Sequence, residues 1–189
     1  DSPLGEDARF RNAKLSYYIG EFELAQAQLL VLKGATTELI ANDALDLSIF
    51  IIDNLGLDTS TKAIEMYSEA ELMTIQNKYD RALLQLDKIM IQFPGHALED
   101  NILMKKATIY SIQKEYAQAE KILLKLLQSF STDILADNAT FMLAELYDYQ
   151  LNDKIKAKAY YEKIIIDYSN SILLVDARKR YRILRGDSL

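Results

Sequence analysis

Residues 116–130 read YAQAEKILLKLLQSF, and the fold follows from the spacing inside this stretch. Its apolar residues Tyr116, Ala119, Ile122, Leu123, Leu126, Leu127 and Phe130 recur every three or four positions, with polar residues between them. A helix turns once in about 3.6 residues, so this spacing gathers them into one stripe; a strand would need strict alternation. The stretch has counterparts elsewhere. Tyr79-Asp-Arg-Ala82, running to Phe93-Pro94, precedes it by 37 residues, and Lys154-Ile-Lys-Ala157, running to Tyr168-Ser169, follows it by 38. An earlier copy opens at Gly20-Glu-Phe22-Glu-Leu-Ala25. Self-similarity at such a period marks a repeat architecture built from one supersecondary unit.

Each copy has a second small residue upstream. Ala13, Ala70 and Ala107 lie twelve positions before Ala25, Ala82 and Ala119, while Ala144 lies thirteen before Ala157. Two helices packed at close range need small side chains where their axes cross, because the interaxial distance follows side-chain size. Alanines on either side of a tight turn meet that need. The aromatic that follows the turn (Phe22, Tyr79, Tyr116) can fill the wedge between one pair and its neighbour. Helices are expected at 7–19, 22–33, 39–54, 61–76, 79–92, 97–113, 116–129, 134–149, 154–168 and 171–185. Asp58-Thr-Ser-Thr61 and Ser131-Thr-Asp133 offer N-cap oxygens, and Pro94-Gly95 breaks the chain.

Bulk composition agrees with a folded helical chain. Of 189 residues half are hydrophobic and 26% charged, with only 6 Gly and 2 Pro to make turns, too few for a sheet-rich fold. No Cys is present, so disulfides and thiolate chemistry are excluded. The net charge of −6 is uneven: residues 154–185 hold nine Lys or Arg against Glu162, Asp167 and Asp176, a segment of +6 that leaves −12 elsewhere. An acidic body disfavours nucleic acid. The basic end could meet an acidic partner or anionic lipid, although a solvated terminal helix is the favoured reading. Apolar runs such as Ile49 to Ile52 are far too short to cross a bilayer, so no transmembrane segment is expected. No basic-then-apolar leader opens the chain. Asp1-Ser2-Pro3-Leu4-Gly5 reads as a cut point, as in a processed chain or part of a longer one.

The pattern resembles the tetratricopeptide repeat family, whose unit of about 34 residues is a helix pair. One copy shows Leu103, Ala107, Tyr110, Tyr116, Ala119 and Leu123; the next shows Leu143, Ala144, Tyr147 and Ala157. Ala13, Gly20, Phe22 and Ala25 represent the first copy, and Ala70, Tyr79, Ala82 and Pro94 the second. Met73 stands where the family has a helix-A Tyr, Ser131 and Ser169 replace its terminal Pro, and the periods run longer. The resemblance implies an all-α, right-handed superhelix of about ten helices in a single domain, 1–189. Its repeats lie near 6–38, 63–96, 100–133 and 137–170. Ala25 and Ala82 are 57 residues apart, so the helix at 39–54 is extra, read as half of a decayed repeat in preference to a spacer. Residues 171–185 are the capping helix, with Arg178, Lys179, Arg180 and Arg182 on its polar face.

Little in the sequence suggests catalysis, cofactors or metal. His96 is the sole histidine, in a loop or at a helix start, and one imidazole makes no multi-histidine site. The carboxylate groups Glu65-Glu69-Glu71, Glu145-Asp148 and Asp1-Glu6-Asp7 read as solvated helix faces. The 12 tyrosines read as packing residues before a stacking platform. Arg185-Gly186-Asp187 is a three-residue match without weight.

The resemblance also places the first helix of each pair on a concave surface. That points to Phe10, Lys14, Tyr17 and Tyr18; Ile64, Tyr67, Glu71, Thr74 and Ile75; Asn101, Met104, Thr108, Ser111 and Ile112; and Asn138, Phe141, Glu145, Asp148 and Tyr149. Tyr17, Tyr18, Tyr67, Glu71, Met104, Asn138, Phe141, Glu145 and Tyr149 are the partner-binding candidates, unless the extra helices bury them. The expected role is a non-enzymatic scaffold for a protein or peptide with some positive charge. A helical sensor for a small ligand or cell-wall fragment is the alternative. Self-association through the terminal helices is a third. The resemblance to envelope-associated bacterial members favours a periplasmic location over a cytoplasmic one.

Overall fold

The computed structural model describes residues 2–34, 38–55 and 61–187. Among these residues the protein is all α, with no strand. Ten helices follow in order: α1 (Pro3–Tyr18), α2 (Phe22–Leu32), α3 (Glu38–Leu55), α4 (Lys62–Ile75), α5 (Tyr79–Gln92), α6 (Glu99–Ile112), α7 (Tyr116–Ser129), α8 (Ala136–Glu145), α9 (Lys154–Asp167) and α10 (Leu174–Arg185). A π-helical turn, Leu146–Gln150, prolongs α8.

The helices that follow a turn begin where the repeat places them. α5 and α7 coincide with the expected 79–92 and 116–129. The helices that open a pair depart more. α1 begins at Pro3, four residues early, because proline suits the first helical position and the Ser2 hydroxyl accepts from the Gly5 N–H at 3.2 Å. α6, α8 and α10 each start two or three residues late, after a short turn ending at Leu98, Leu135 or Leu173. Ser131 to Asp133 therefore do not cap α8: Leu135 holds the cap position without a side-chain bond, and the Asp133 carbonyl accepts from the Ala136 N–H instead. Asp58 to Ser60 lie outside the described residues. Thr61 occupies the α4 cap position, but its hydroxyl donates to Glu65 Oε1 at 2.5 Å and caps no backbone N–H.

The chain forms two compact units, Asp1–Leu98 and Glu99–Leu189. In the first, α1 packs on α2 and α4 on α5; in the second, α6 packs on α7, α8 on α9 and α9 on α10. The alanines of every pair (Ala13 with Ala25, Ala70 with Ala82, Ala107 with Ala119, Ala144 with Ala157) are wholly buried. Large side chains are buried with them: Leu29, Ile51, Ile64 and Leu86 in the first unit, Leu103, Leu123, Tyr161 and Ile164 in the second.

The turns inside the pairs repeat as well. Gly20, Asn77, Lys114 and Asn152, each two residues before the next helix, have φ of +82°, +58°, +62° and +53°. Left-handed residues at this place end a helix in the Schellman manner, returning two N–H groups to carbonyls of the last turn. Glu21 donates to the Ser16 carbonyl, Lys78 to Met73 and Glu115 to Tyr110, at 2.8–2.9 Å. The fourth pair has one residue more, and Asp153 reaches Tyr147, six residues back. The π turn absorbs that residue, which accounts for the thirteen-residue step from Ala144 to Ala157.

α3 lies against α2 and touches α1 and α4. Gln26 and Ser48 lock the pair reciprocally: the Gln26 amide donates to the Ser48 carbonyl and the Ser48 hydroxyl to Gln26 Oε1, both at 2.8 Å. Ala119→Leu should lower the urea-unfolding free energy by about 1–3 kcal/mol through overpacking at the α6–α7 crossing. Ala117→Leu, two residues away on the exposed side, should change it by less than about 0.5 kcal/mol. Equal losses would show that the crossing is not the constraint.

Candidate partner-binding face

In the second unit the expected surface residues gather on α8. Asn138, Phe141, Glu145 and Tyr149 follow at three- and four-residue steps along α8 and its π turn, so they share one face. Glu145 is exposed, Tyr149 is 54% exposed, and Asn138 and Phe141 are half-buried. Asn138 is held at its base, since Asp137 Oδ1 accepts both its backbone N–H (2.7 Å) and its amide (3.0 Å). Asp100 and Asn101 repeat this arrangement one period earlier, at 2.6 and 2.8 Å. Met104, the remaining candidate of this unit, is half-buried on α6.

Beneath this face lies a buried carboxylate. The Asp148 side chain is fully enclosed in the π turn, and the two hydrogen-bonded cations that meet it come from α9 and α10. Oδ1 accepts from Lys154 Nζ at 2.8 Å; Oδ2 accepts from Arg180 Nε at 3.0 Å and from the Tyr161 hydroxyl at 3.5 Å. Burial alone would raise the Asp148 pKa, but the hydrogen bonds and charges of Lys154 and Arg180 outweigh it and hold the carboxyl below the ordinary aspartate range. The guanidinium pinned in this way lies 4.8 Å from the centre of the Tyr149 ring. Phe141 meets the Tyr161 ring edge-on at 5.7 Å. Glu145 beside them has a raised pKa, through burial and the neighbouring Asp148 and Asp176, against the pull of Arg180.

Two sequence expectations change here. Asp148 is no solvated carboxylate, and Arg180 does not serve the polar face of a cap; the two meet inside the unit. Tyr147 is buried and stacks on Tyr160 at 5.5 Å, with its hydroxyl donating to Glu120 on α7, so it is a packing residue. Burial and Glu120 both raise its pKa. Sequence reasoning passed over the Asp148–Arg180 pair, although the odd step from Ala144 to Ala157 was a signal that α8 is irregular there.

In the first unit the candidates are divided. Tyr17 and Tyr67 are buried, so a partner cannot touch them. The reason is α3: its Phe50 meets Tyr17 at 6.2 Å and Tyr67 at 5.5 Å, filling the space over α1 and α4. The Tyr17 hydroxyl donates to Glu71 Oε2 at 2.7 Å, and burial together with the Glu71 charge raises its pKa strongly. Tyr18 and Glu71 stay half-buried, Tyr18 with Lys14 Nζ 6.0 Å from its ring centre. Glu6 also departs from expectation, being buried in α1. An open depression of about 360 Å³ lies elsewhere on α1 and α2, lined by Ala8, Arg9, Asn12, Gln28 and Val31, and includes none of the candidates. His96 stands before α6, where its Nδ1 accepts from the Leu98 N–H at 3.0 Å. Among the described residues no group of three or more His, Cys, Asp or Glu is placed to hold a metal, and no helix is long and apolar enough to cross a membrane.

In comparisons with known proteins, no family model and no curated sequence matches this chain.

Replacing Asp148 by Asn leaves Arg180 and Lys154 without their counter-charge, at an expected cost of about 2–4 kcal/mol in urea unfolding. A carboxyl whose pKa is depressed on folding contributes stability that is present above its unfolded value and lost as pH falls through the folded one. The gap between wild type and D148N should therefore be full at neutral pH and shrink below about pH 4. A gap that stays constant from pH 7 to acid would contradict this assignment.

Proposed function

We propose that the protein is a non-catalytic interaction module built of helix pairs, holding a segment of a partner protein on the α8 face. Tyr149 is the observation that carries this reading. A large aromatic ring stands more than half exposed and is backed by a guanidinium whose own position is set by a buried carboxylate. A ring fixed in this way loses little freedom on binding, and aromatic side chains on rigid elements are the usual anchors of interfaces. Phe141 extends the apolar surface, Glu145 supplies negative charge, and Asn138 offers an amide already oriented by Asp137. The matching ligand is a peptide that alternates apolar side chains with Lys or Arg. Winding of successive pairs into a right-handed superhelix, and an envelope location, belong to the same proposal through the tetratricopeptide resemblance; small-angle scattering tests the first and fractionation of the source cells the second.

A displayed random-peptide library panned on the purified chain tests the binding role. Selected peptides should be rich in Lys, Arg and apolar residues. Their Kd, read by fluorescence anisotropy, should rise at least roughly tenfold in F141A/Y149A, a loss of about 1.4 kcal/mol or more. Undiminished binding to the folded double variant would remove α8 from the site.

A further inference from the structure

α3 is the helix outside the pair pattern, and its outward side has a composition of its own. Ala44, Ser48 and Ile51 are buried, with Ser48 bonded to α2. Leu45, Ile49 and Ile52 face away, at 40%, 46% and 55% exposure. Their four- and three-residue steps make them one stripe, and Asp46 and Asp53, seven residues apart, run along its solvent edge. α3 contains no Lys, Arg or His.

α10 carries the converse. It packs on α9 through a side that includes buried Ala177 and leaves Val175 and Ile183 exposed, with Ile172 exposed just ahead of it. Val175, Lys179 and Ile183 follow at four-residue steps, the Lys179 stem continuing the apolar line. Arg178 and Arg185, also seven residues apart, run along the edge together with Arg182. Arg182 and Arg185 share Asp187, an exposed pairing of the kind that exchanges partners at little cost. The same opposition holds at the level of the two units. Residues 1–98 carry 8 Lys or Arg against 15 Asp or Glu, and residues 99–189 carry 14 against 13, or −7 and +1.

We propose that the α3 stripe of one copy docks the α10 stripe of a second copy, antiparallel, with Asp46 facing Arg185 and Asp53 facing Arg178. Charge complementarity selects this occupant: apolar lines of like length carry edge charges of opposite sign at the same seven-residue spacing, and both lines belong to one chain. The aspartates repel an anionic membrane. The contact is heterologous, so a pair of copies keeps one free α3 and one free α10, and assembly grows with concentration unless a ring closes. Two short helix faces bury less than a standard interface, so the association is weak, with a dissociation constant expected on the order of 100 µM. The proposal does not depend on the α8 face.

Sedimentation velocity over a concentration series tests it. The 21.6 kDa chain should shift to twice that mass and beyond as concentration passes about 100 µM, and return to one copy at about 0.5 M salt. D46K/D53K and R178E/R185E, all surface changes, should each stay at the mass of one copy with an unchanged helical circular dichroism signal. An equimolar mixture of the two should regain the shift, because the swapped edges again oppose each other. I49K, in the middle of the stripe, should abolish the shift without altering either charged edge. A wild type that keeps the mass of one copy at every concentration overturns the proposal, as does a folded pair of swapped variants that ignore each other, or an I49K chain that still associates. Should the monomeric wild type nevertheless capture a synthetic peptide of residues 171–187, the stripe serves a basic helix of another protein and the second copy is the wrong occupant.

Discussion

The constraint on which the rest depends is the small residue on each helix of a pair: all eight repeat alanines are wholly buried. With methyl groups at the crossing, two helices can approach closely enough for the flanking leucines, isoleucines and tyrosines to interlock. A larger residue at any of these eight positions would hold the helices apart, and every side chain beyond the crossing would lose contacts together. The left-handed turn residues serve the same end. They stop one helix and let the next begin two residues later.

A single added residue has an outsized effect in the fourth pair. An ordinary α-helix cannot accept it without rotating everything that follows by about 100°. The helix widens into a π turn instead, and Ala144 and Ala157 are both wholly buried. The widened turn carries Asp148 inward, and a buried carboxylate requires cations. Arg180 and Lys154 supply them, linking α8, α9 and α10, and the Arg180 guanidinium then supports the exposed Tyr149 ring. An irregularity of repeat length thus becomes a fixed aromatic on the surface.

In the first unit the addition is a whole helix, with the opposite outcome. Phe50 of α3 covers Tyr17 and Tyr67, and residues suited to contact a partner become core. The covering helix brings a surface of its own, apolar in the middle and acidic along one edge. The surfaces of the two units differ in composition: an exposed aromatic ring on one, an acid-edged aliphatic stripe on the other.

Much of this was present in the sequence. The three- and four-residue spacing of Tyr116 to Phe130 determined an amphipathic helix, and the recurrence of alanines twelve apart determined that such helices come in tight pairs; both are local rules that the sequence states without outside help. The starts of α6, α8 and α10 were misplaced because each follows a short turn: backbone bonds hold the one before α8, while His96 and Ser171 accept from the Leu98 and Leu173 N–H groups within the turns before α6 and α10. Which tyrosines stay at the surface was not legible, since a buried tyrosine and an exposed one occupy the same helical register. Only the neighbours brought up by the fold decide between them: α3 buries Tyr17 and Tyr67, while nothing comparable covers Tyr149. Asp148 follows the same rule, its place in the sequence being that of a surface carboxylate and its place in the structure that of a buried charge, because Arg180, 32 residues further along, folds back to meet it.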